Sequence, residues 1–364
     1  MKPEDRALIT FTSGTSGQPK GADRTYGFLA AQLTALSPHL KRPTVDRDFT
    51  NFPIVGLADL AVGNTVVIPN LNLMRIHEAD PAPVANTLLH QQVTRLIVSP
   101  SLLGLTLSQL PPHHLLQEVY TGGAPIPFYL ITHSLTHHSH ITFRAIFGST
   151  EAEPVALTTF DIMQKQMQDP LKGVFLGTPE PVTSVCLVPP TQGPLTASVL
   201  NNPITTDGEV GEIIVSGSHV NTHYFENEAA FKEHKIVDDA GNIWHRMGDL
   251  AYWEKGNLYL VGRLHRVMRR GEKAYHPFPF EEYVRRKLGW TDVGYVQEGK
   301  MFRLYVYTEE VVLSDTLKHL TETPYPLDEI CFLSSPLPRD PRHRAKLDVV
   351  ALKKRRVLRR KKIR

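Results

Sequence analysis

The stretch TFTSGTSGQPKGA, residues 10–22, decides how the chain is read. Two glycines, Gly14 and Gly17, alternate with hydroxyls at Thr12, Ser13, Thr15 and Ser16, and Lys20-Gly21 follows. Glycines let backbone N–H groups approach an anion, hydroxyls add donors, and the lysine brings positive charge on a long stem. The G-x-x-x-x-G-K-[ST] spacing of the Walker loop is absent. On its own the stretch suits either a phosphate loop or a polar surface turn. Its flanks add to this: ALITFTSG reads as a short apolar strand breaking at Ser13-Gly14. YGFLAAQLTAL then spaces Phe28, Leu29, Leu33 and Leu36 along one side of a helix.

The strand, glycine loop, helix unit is followed by more of the same alternation. TVVIPN and RLIVSPSLL are strand-like runs, with the helical PAPVANTLLHQQ between them. QEVYTGGAPIP and ITFRAIFGSTEAE are buried strands that end in glycine-bearing turns. Such layering predicts an α/β fold. Beyond residue 170 proline and glycine punctuate shorter strands: GEIIVSGSHV, NIWHRMGDLAYWE and GNLYLVGRLHRVMRR. After residue 265 the sequence predicts a helix closed by Gly289, a hairpin and a further helix, which together suit a small α+β unit.

Several stretches carry side chains suited to a nucleotide. Gly122 and Gly123 in YTGGAPIP let a flat ligand lie against backbone, or make an ordinary turn. FGSTEAE offers an aromatic to stack on a base and the carboxylates Glu151 and Glu153 for Mg²⁺, or else a helix N-cap. RMGDL sets Asp249 in a turn, where a carboxylate can accept hydrogen bonds from two ribose hydroxyls. Arg263 stands at the expected domain boundary, and Lys346 in the basic loop DPRHRAKLD.

Composition excludes less than it permits. With 41% hydrophobic and 21% charged residues among 364, the chain has the make-up of an ordinary soluble protein. The net charge of +3 hides an asymmetry: KKRRVLRRKKIR, the last twelve residues, holds nine Lys or Arg, so the remainder carries −6. That tail predicts a solvated, disordered end, with anionic lipid, RNA or an acidic protein as its possible partners. Cys186 and Cys331 form no ligand spacing, and the histidines of THHSH (136–140) form no zinc motif. MKPEDRALIT has no signal-peptide pattern and no run is long enough to span a membrane, so a soluble cytoplasmic protein is expected.

The order of the stretches is more specific than any one of them. TSGTSGQPKG, YTGGAPIP, FGSTE, GEIIVSG, RMGDL, GR and a late Lys346 resemble the motif succession of the AMP-forming adenylating enzymes. The likeness runs from about residue 7 to residue 350. It implies a large domain over 1–262 that binds ATP and an acid, a small mobile lid over 263–350, and a basic tail over 351–364. The implied roles follow residue by residue. The loop from Thr12 through Ser13, Gly14, Thr15, Ser16 and Gly17 to Lys20 would embrace the β- and γ-phosphates. Gly122, Gly123 and Ala124 would line the adenine, with Phe147 stacking on it beside Gly148. Thr150 would contact the α-phosphate, Glu151 would bind Mg²⁺, Asp249 would hold the ribose with Arg263 beside it, and Lys346 would reach the reacting oxygens.

Two departures sharpen the resemblance. GRLHRVMRRGEKAYHPFPFEE has His265 and Arg266 where the family's hinge acid is expected, and DPRHRAKLD replaces the common lysine-loop pattern. With FTNFPIVGLADLAVGNTVVIPN and VSPSLL, they are similar to the β-lactone synthetases of olefin biosynthesis. That resemblance implies ATP- and Mg²⁺-dependent activation of a β-hydroxy acid, closed by its own hydroxyl. A fatty-acyl-CoA or fatty-acyl-AMP ligase is the enzymatic alternative. Little sequence precedes the phosphate loop, where the family carries a substantial region. An N-terminally incomplete large domain with uncovered apolar surface is therefore expected, as a fragmentary gene product, a split enzyme whose missing region is a second polypeptide, or an inactive remnant.

Overall fold

The computed structural model describes residues 1–12, 19–42, 47–308, 314–339 and 347–363. The opening stretch is framed by an antiparallel pair: strand Arg6–Thr12 turns back as Lys20–Thr25, with Thr12 opposite Lys20. The short strand His223–Tyr224 adds to this pair against Ala22 and Asp23. Helix Tyr26–Leu40 begins at once, its first turn closed by Thr25 Oγ1 accepting from the Phe28 N–H at 3.1 Å.

The chain then builds a twelve-stranded sheet. Five strands run parallel, in the spatial order Thr65–Val67, Arg47–Thr50, Arg95–Val98, Glu118–Gly122 and Thr142–Ser149. The sheet continues antiparallel through Ala152–Thr159, Val174–Pro179, Asn257–Arg263, Ile243–Glu254, Gly211–Ser216 and Ser184–Val188, and Lys235–Val237 pairs with Ile243–Glu254 off this path. Its parallel part is covered on both faces, as parallel sheets require. Ile97 and Tyr120 pack on one side with Leu36 and Leu40 of the first helix and Val55 of helix Pro53–Ala61. Leu96, Val98 and Val119 pack on the other with Leu88, Leu102, Leu103 and Ile131, from helices Pro81–His90, Pro100–Leu107 and Phe128–His137. This is the α/β architecture expected from the alternation.

The C-terminal part has its own sheets. Met268–Arg270 pairs with Lys273–Tyr275, and a four-stranded sheet orders Asp292–Glu298, Met301–Tyr307, Glu329–Leu333 and Val357–Lys362. Helix Pro277–Leu288 buries Phe280 and Val284 against Trp290, Tyr295 and Phe302, and ends at Gly289, whose φ of +70° is the left-handed cap that glycine adopts readily. The Arg286 guanidinium on this helix lies 3.5 Å from the Phe128 ring centre, tying the helix to the main sheet's covering layer.

Four local expectations are corrected. RLIVSPSLL is not one extended run: the strand stops at Val98 and a helix starts at Pro100, where a proline at the first helical position forfeits no hydrogen bond. Asp249 lies inside the long strand Ile243–Glu254, opposite Arg263, rather than in a turn. Thr150-Glu151 is the tight connection between two antiparallel strands, and the alternative of a helix N-cap in FGSTEAE falls away. The basic tail is not a disordered end through residue 363, because Val357–Lys362 completes the C-terminal sheet and Val357 and Ile363 pack on its cores.

One buried ionic cluster locks the parallel strands. Arg95, fully buried, donates to Asp48 Oδ1 at 2.9 Å, to the Leu40 carbonyl at 3.1 Å and to Asp59 Oδ1 at 3.4 Å. Burial, with the Asp48 side chain acting in the same sense, pushes the Asp59 carboxyl up to about 8 from 3.8, against the pull of Arg95 and Asn64. Between those two values the folded chain holds a proton that the unfolded chain has lost. This contribution to stability is therefore present in acid and declines as pH rises through that window. Asp59→Asn is expected to flatten the decline and to raise stability at pH 8 by on the order of 1 kcal/mol or more. Denaturant midpoints at pH 5 and pH 8 measure both, and an unchanged difference between them would contradict the assignment.

Candidate functional site

The carboxyl ends of three parallel strands open into one cavity of about 670 Å³. Asn51–Ile54 follow strand Arg47–Thr50, Gly123–Ile126 follow Glu118–Gly122, and Phe147–Glu151 end and follow Thr142–Ser149; all of them line it. Ligands of open α/β sheets bind at this end of the strands, where the connecting loops diverge. Lys20, Glu151, Tyr224, His234, Asp249 and Arg263 give the cavity a polar lining, while Ile126, Met163, Val174, Phe175, Leu260 and Phe278 give it an apolar one.

The cationic wall starts on strand Lys20–Thr25. Arg24 is buried and fully engaged: Nε donates to Thr10 Oγ1 at 2.9 Å, Nη1 to Gln32 Oε1 at 2.8 Å, and Nη2 to the Thr150 carbonyl at 2.6 Å. It thereby holds the Ser149–Glu151 turn against the strand that leaves the opening loop. Lys20 Nζ meets His234 Nε2. Burial lowers the Lys20 pKa, partly offset by Glu233 and Glu151. Burial, then the Lys20 charge, lowers His234 to about 4, so at neutral pH its ring nitrogen accepts from the lysine. Behind them Lys235 is buried, donates to the Asn221 carbonyl and is lowered to about 7 by burial.

The acidic groups face this wall. Glu151 Oε1 accepts from the Tyr224 hydroxyl at 3.0 Å, and the Glu151 carbonyl accepts from the Asn221 N–H at 2.6 Å. Asp249 is buried at the cavity edge and forms an ion pair with Arg263, Nε to Oδ1 at 2.8 Å, across the strand pair. Burial raises the Glu153 carboxyl to about 7, with Arg24 acting against it. The buried Ser149 hydroxyl, which also lines the cavity, has no hydrogen-bond partner among the described residues. An unpartnered hydroxyl, a lysine and the carboxylates of Glu151 and Asp249 lining one cavity with Gly123 and Gly148 make a set that fits a nucleotide and its divalent cation.

Of the residues singled out in sequence, Lys20, Gly123, Ala124, Phe147, Gly148, Thr150, Glu151, Asp249 and Arg263 all line this cavity. Gly122 does not: it sits one residue back in its strand and borders a smaller space with Tyr120 and Ile146. A Cβ there would stand 2.3 Å from the Ile146 carbonyl oxygen, so glycine at this position serves strand packing. Thr12 ends its strand next to the cavity-lining Thr10 and Phe11. Ser13, Gly14, Thr15, Ser16, Gly17 and Lys346 lie outside the described residues; Leu347, next to Lys346, lines the cavity. Arg24, Tyr224, His234 and Arg246 were missed by sequence reasoning. Only Arg24, four residues beyond the loop lysine on alternating strand positions, left a usable signal.

An open α/β sheet with an ionic, nucleotide-sized cavity at its strand ends defines the class. The pattern of the AMP-binding enzyme family matches residues 1–225, and the chain belongs to that family. It is 30% identical over 268 residues to an olefin β-lactone synthetase of Stenotrophomonas maltophilia, a match covering 71% of this chain and 48% of that protein. It is 26% identical over 288 residues to the acyl-CoA ligase sidI of Aspergillus fumigatus, covering 76% of this chain and 46% of that protein. The chain thus spans about half the length of these relatives. Among solved structures, the O-succinylbenzoate coenzyme A synthetase of Bacillus subtilis in complex with AMP superposes with a TM-score of 0.76 at 20% identity. That superposition covers 97% of this chain and 70% of the other, and it carries the fold. No helix among the described residues is long and apolar enough to cross a membrane.

Proposed function

We propose that the protein joins a carboxylic acid to the α-phosphate of ATP, releasing pyrophosphate, and that the acid is an apolar β-hydroxy acid whose hydroxyl then closes a β-lactone. The observation that carries this reading is convergence. Lys20, Thr150, Glu151, Asp249 and Arg263, drawn from across more than half the chain, line one cavity that also has an apolar lining. The likeness to the β-lactone synthetase supports the second step.

An acid carboxylate and a triphosphate repel each other, so their approach requires compensating charge. Lys20 supplies it from the strand after the opening loop, and Lys346 is the second lysine assigned to the reacting oxygens. Mg²⁺, held by Glu151, would offset the remaining phosphate charge. Phe147, Gly123 and Ala124 would hold the adenine, and Asp249, oriented by Arg263, the ribose hydroxyls. In the closing step the β-hydroxyl oxygen attacks the acyl carbon, AMP leaves with the bonding electrons, and the hydroxyl proton is released.

Pyrophosphate exchange into ATP, driven by a long-chain β-hydroxy acid and Mg²⁺, tests the first step. Lactone formation without CoA tests the second. A requirement for CoA before any acyl product forms would favour the acyl-CoA ligase reading that the likeness to sidI supports. Absence of exchange with every acid tried would favour a protein that does not catalyse. Asp249→Ala is expected to raise the KM for ATP roughly 10- to 100-fold, because two ribose hydroxyls lose a charged acceptor, while kcat falls less. An unchanged KM would reassign Asp249 to a purely structural pairing with Arg263.

A further inference from the structure

The basic C-terminal segment has no part in the site described above, and its structure gives it a surface role. Helix Val349–Lys353 and strand Val357–Lys362 bring eight Lys or Arg into ten consecutive residues, 353–362, with no acid among them. The strand closes one edge of the C-terminal sheet, pairing with Glu329–Leu333 on its inner side. Among the described residues Arg360 alone of these eight pairs with a carboxylate, Glu329, at 3.3 Å. Two aliphatic side chains stand out from the same segment: Val350 is 69% exposed and Leu358 62% exposed.

We propose that this edge docks on an anionic lipid surface. Lys and Arg held near such a surface gain from its negative potential within about a Debye length, on the order of 10 Å at 0.1 M salt. Exposed aliphatic side chains flanked by basic ones can enter the headgroup and acyl boundary. A single-stranded nucleic acid offers the same charge, but its bases are gripped by aromatic stacking. Residues 349–363 contain no aromatic side chain. An ordered edge strand also holds its charges in a fixed array, as a flat surface demands. The proposal is independent of which acid the cavity takes.

Vesicle flotation with the full chain tests it. Vesicles of phosphatidylcholine containing about one third phosphatidylserine are compared with pure phosphatidylcholine. Partition onto the anionic vesicles is expected to exceed that onto neutral ones at least roughly tenfold at about 0.1 M salt, and to collapse near 1 M. Lys354→Glu combined with Arg359→Glu is expected to lower partition at least roughly tenfold. Leu358→Ser is expected to lower it about threefold without changing the salt dependence. Denaturant unfolding midpoints should be the same in all variants, which shows that they are folded. Equal partition onto neutral vesicles, or partition untouched by the charge reversals, overturns the proposal. So does displacement from anionic vesicles by homopolymeric RNA when Leu358→Ser partitions like the parent.

Discussion

Glu151→Gln is expected to lower ATP–pyrophosphate exchange by roughly 10²- to 10³-fold while leaving the unfolding midpoint within experimental error of the parent. The substitution is nearly isosteric. Its amide oxygen still accepts from the Tyr224 hydroxyl, which stands 3.0 Å from Oε1 in the parent, and the backbone contact to Asn221 is untouched. What disappears is one negative charge at the turn where strand Thr142–Ser149 hands over to Ala152–Thr159. If that charge holds Mg²⁺, the variant should need a higher Mg²⁺ concentration for half-maximal exchange, a shift that a packing role does not produce. Tyr224→Phe, which removes the hydroxyl but keeps the ring, should cost only a few-fold. Exchange by the glutamine variant within about threefold of the parent would withdraw the metal-holding role.

How far the sequence revealed this site depended on whether local chemistry or tertiary assembly placed each residue. Strand ends followed by glycine are local signals, so Gly123, Phe147 and Thr150 were legible from their own segments. Asp249 was identified as a candidate but misjudged in conformation. Met-Gly-Asp reads as a turn, yet pairing of Asp249 with Arg263 across two long strands overrides that preference. His234 and Tyr224 carry no motif; they reach the cavity only because strand His223–Tyr224 pairs with Lys20–Thr25, some 200 positions earlier. The tail misled in the opposite direction. Its charge pattern is that of a solvated end, but alternation places Val357 against Leu333 and lets the sheet claim the segment. Pairings between distant segments leave no trace in a window of ten residues, and those pairings supplied what the sequence did not disclose.

Arg95→Met is expected to destabilise the protein by about 3–5 kcal/mol, the largest stability change predicted for a single side chain here. Arg95 is fully buried and is the common partner of three separate elements. It pairs with Asp48 on the neighbouring parallel strand, reaches Asp59 on helix Pro53–Ala61, and donates to the His39 and Leu40 carbonyls that end helix Tyr26–Leu40. Methionine fills similar volume, so the loss is not mainly one of packing. It leaves the Asp48 carboxylate buried without its cation and two helix-terminal carbonyls without their donor. Asn64, which donates to Asp48 Oδ2 and to the Leu40 carbonyl, both at 3.2 Å, can compensate only in part. The consequence should extend to the site, because helix Tyr26–Leu40 continues directly from the strand that carries Lys20 and Arg24. Arg95→Met combined with Asp48→Asn removes cation and anion together and should recover much of the lost stability, since breaking a buried pair costs more than replacing it. Denaturant unfolding of the two variants decides the matter. A single-variant loss below about 1 kcal/mol, or a double variant no more stable than the single, would mean that the cluster is not what locks the parallel strands to the helix that precedes them.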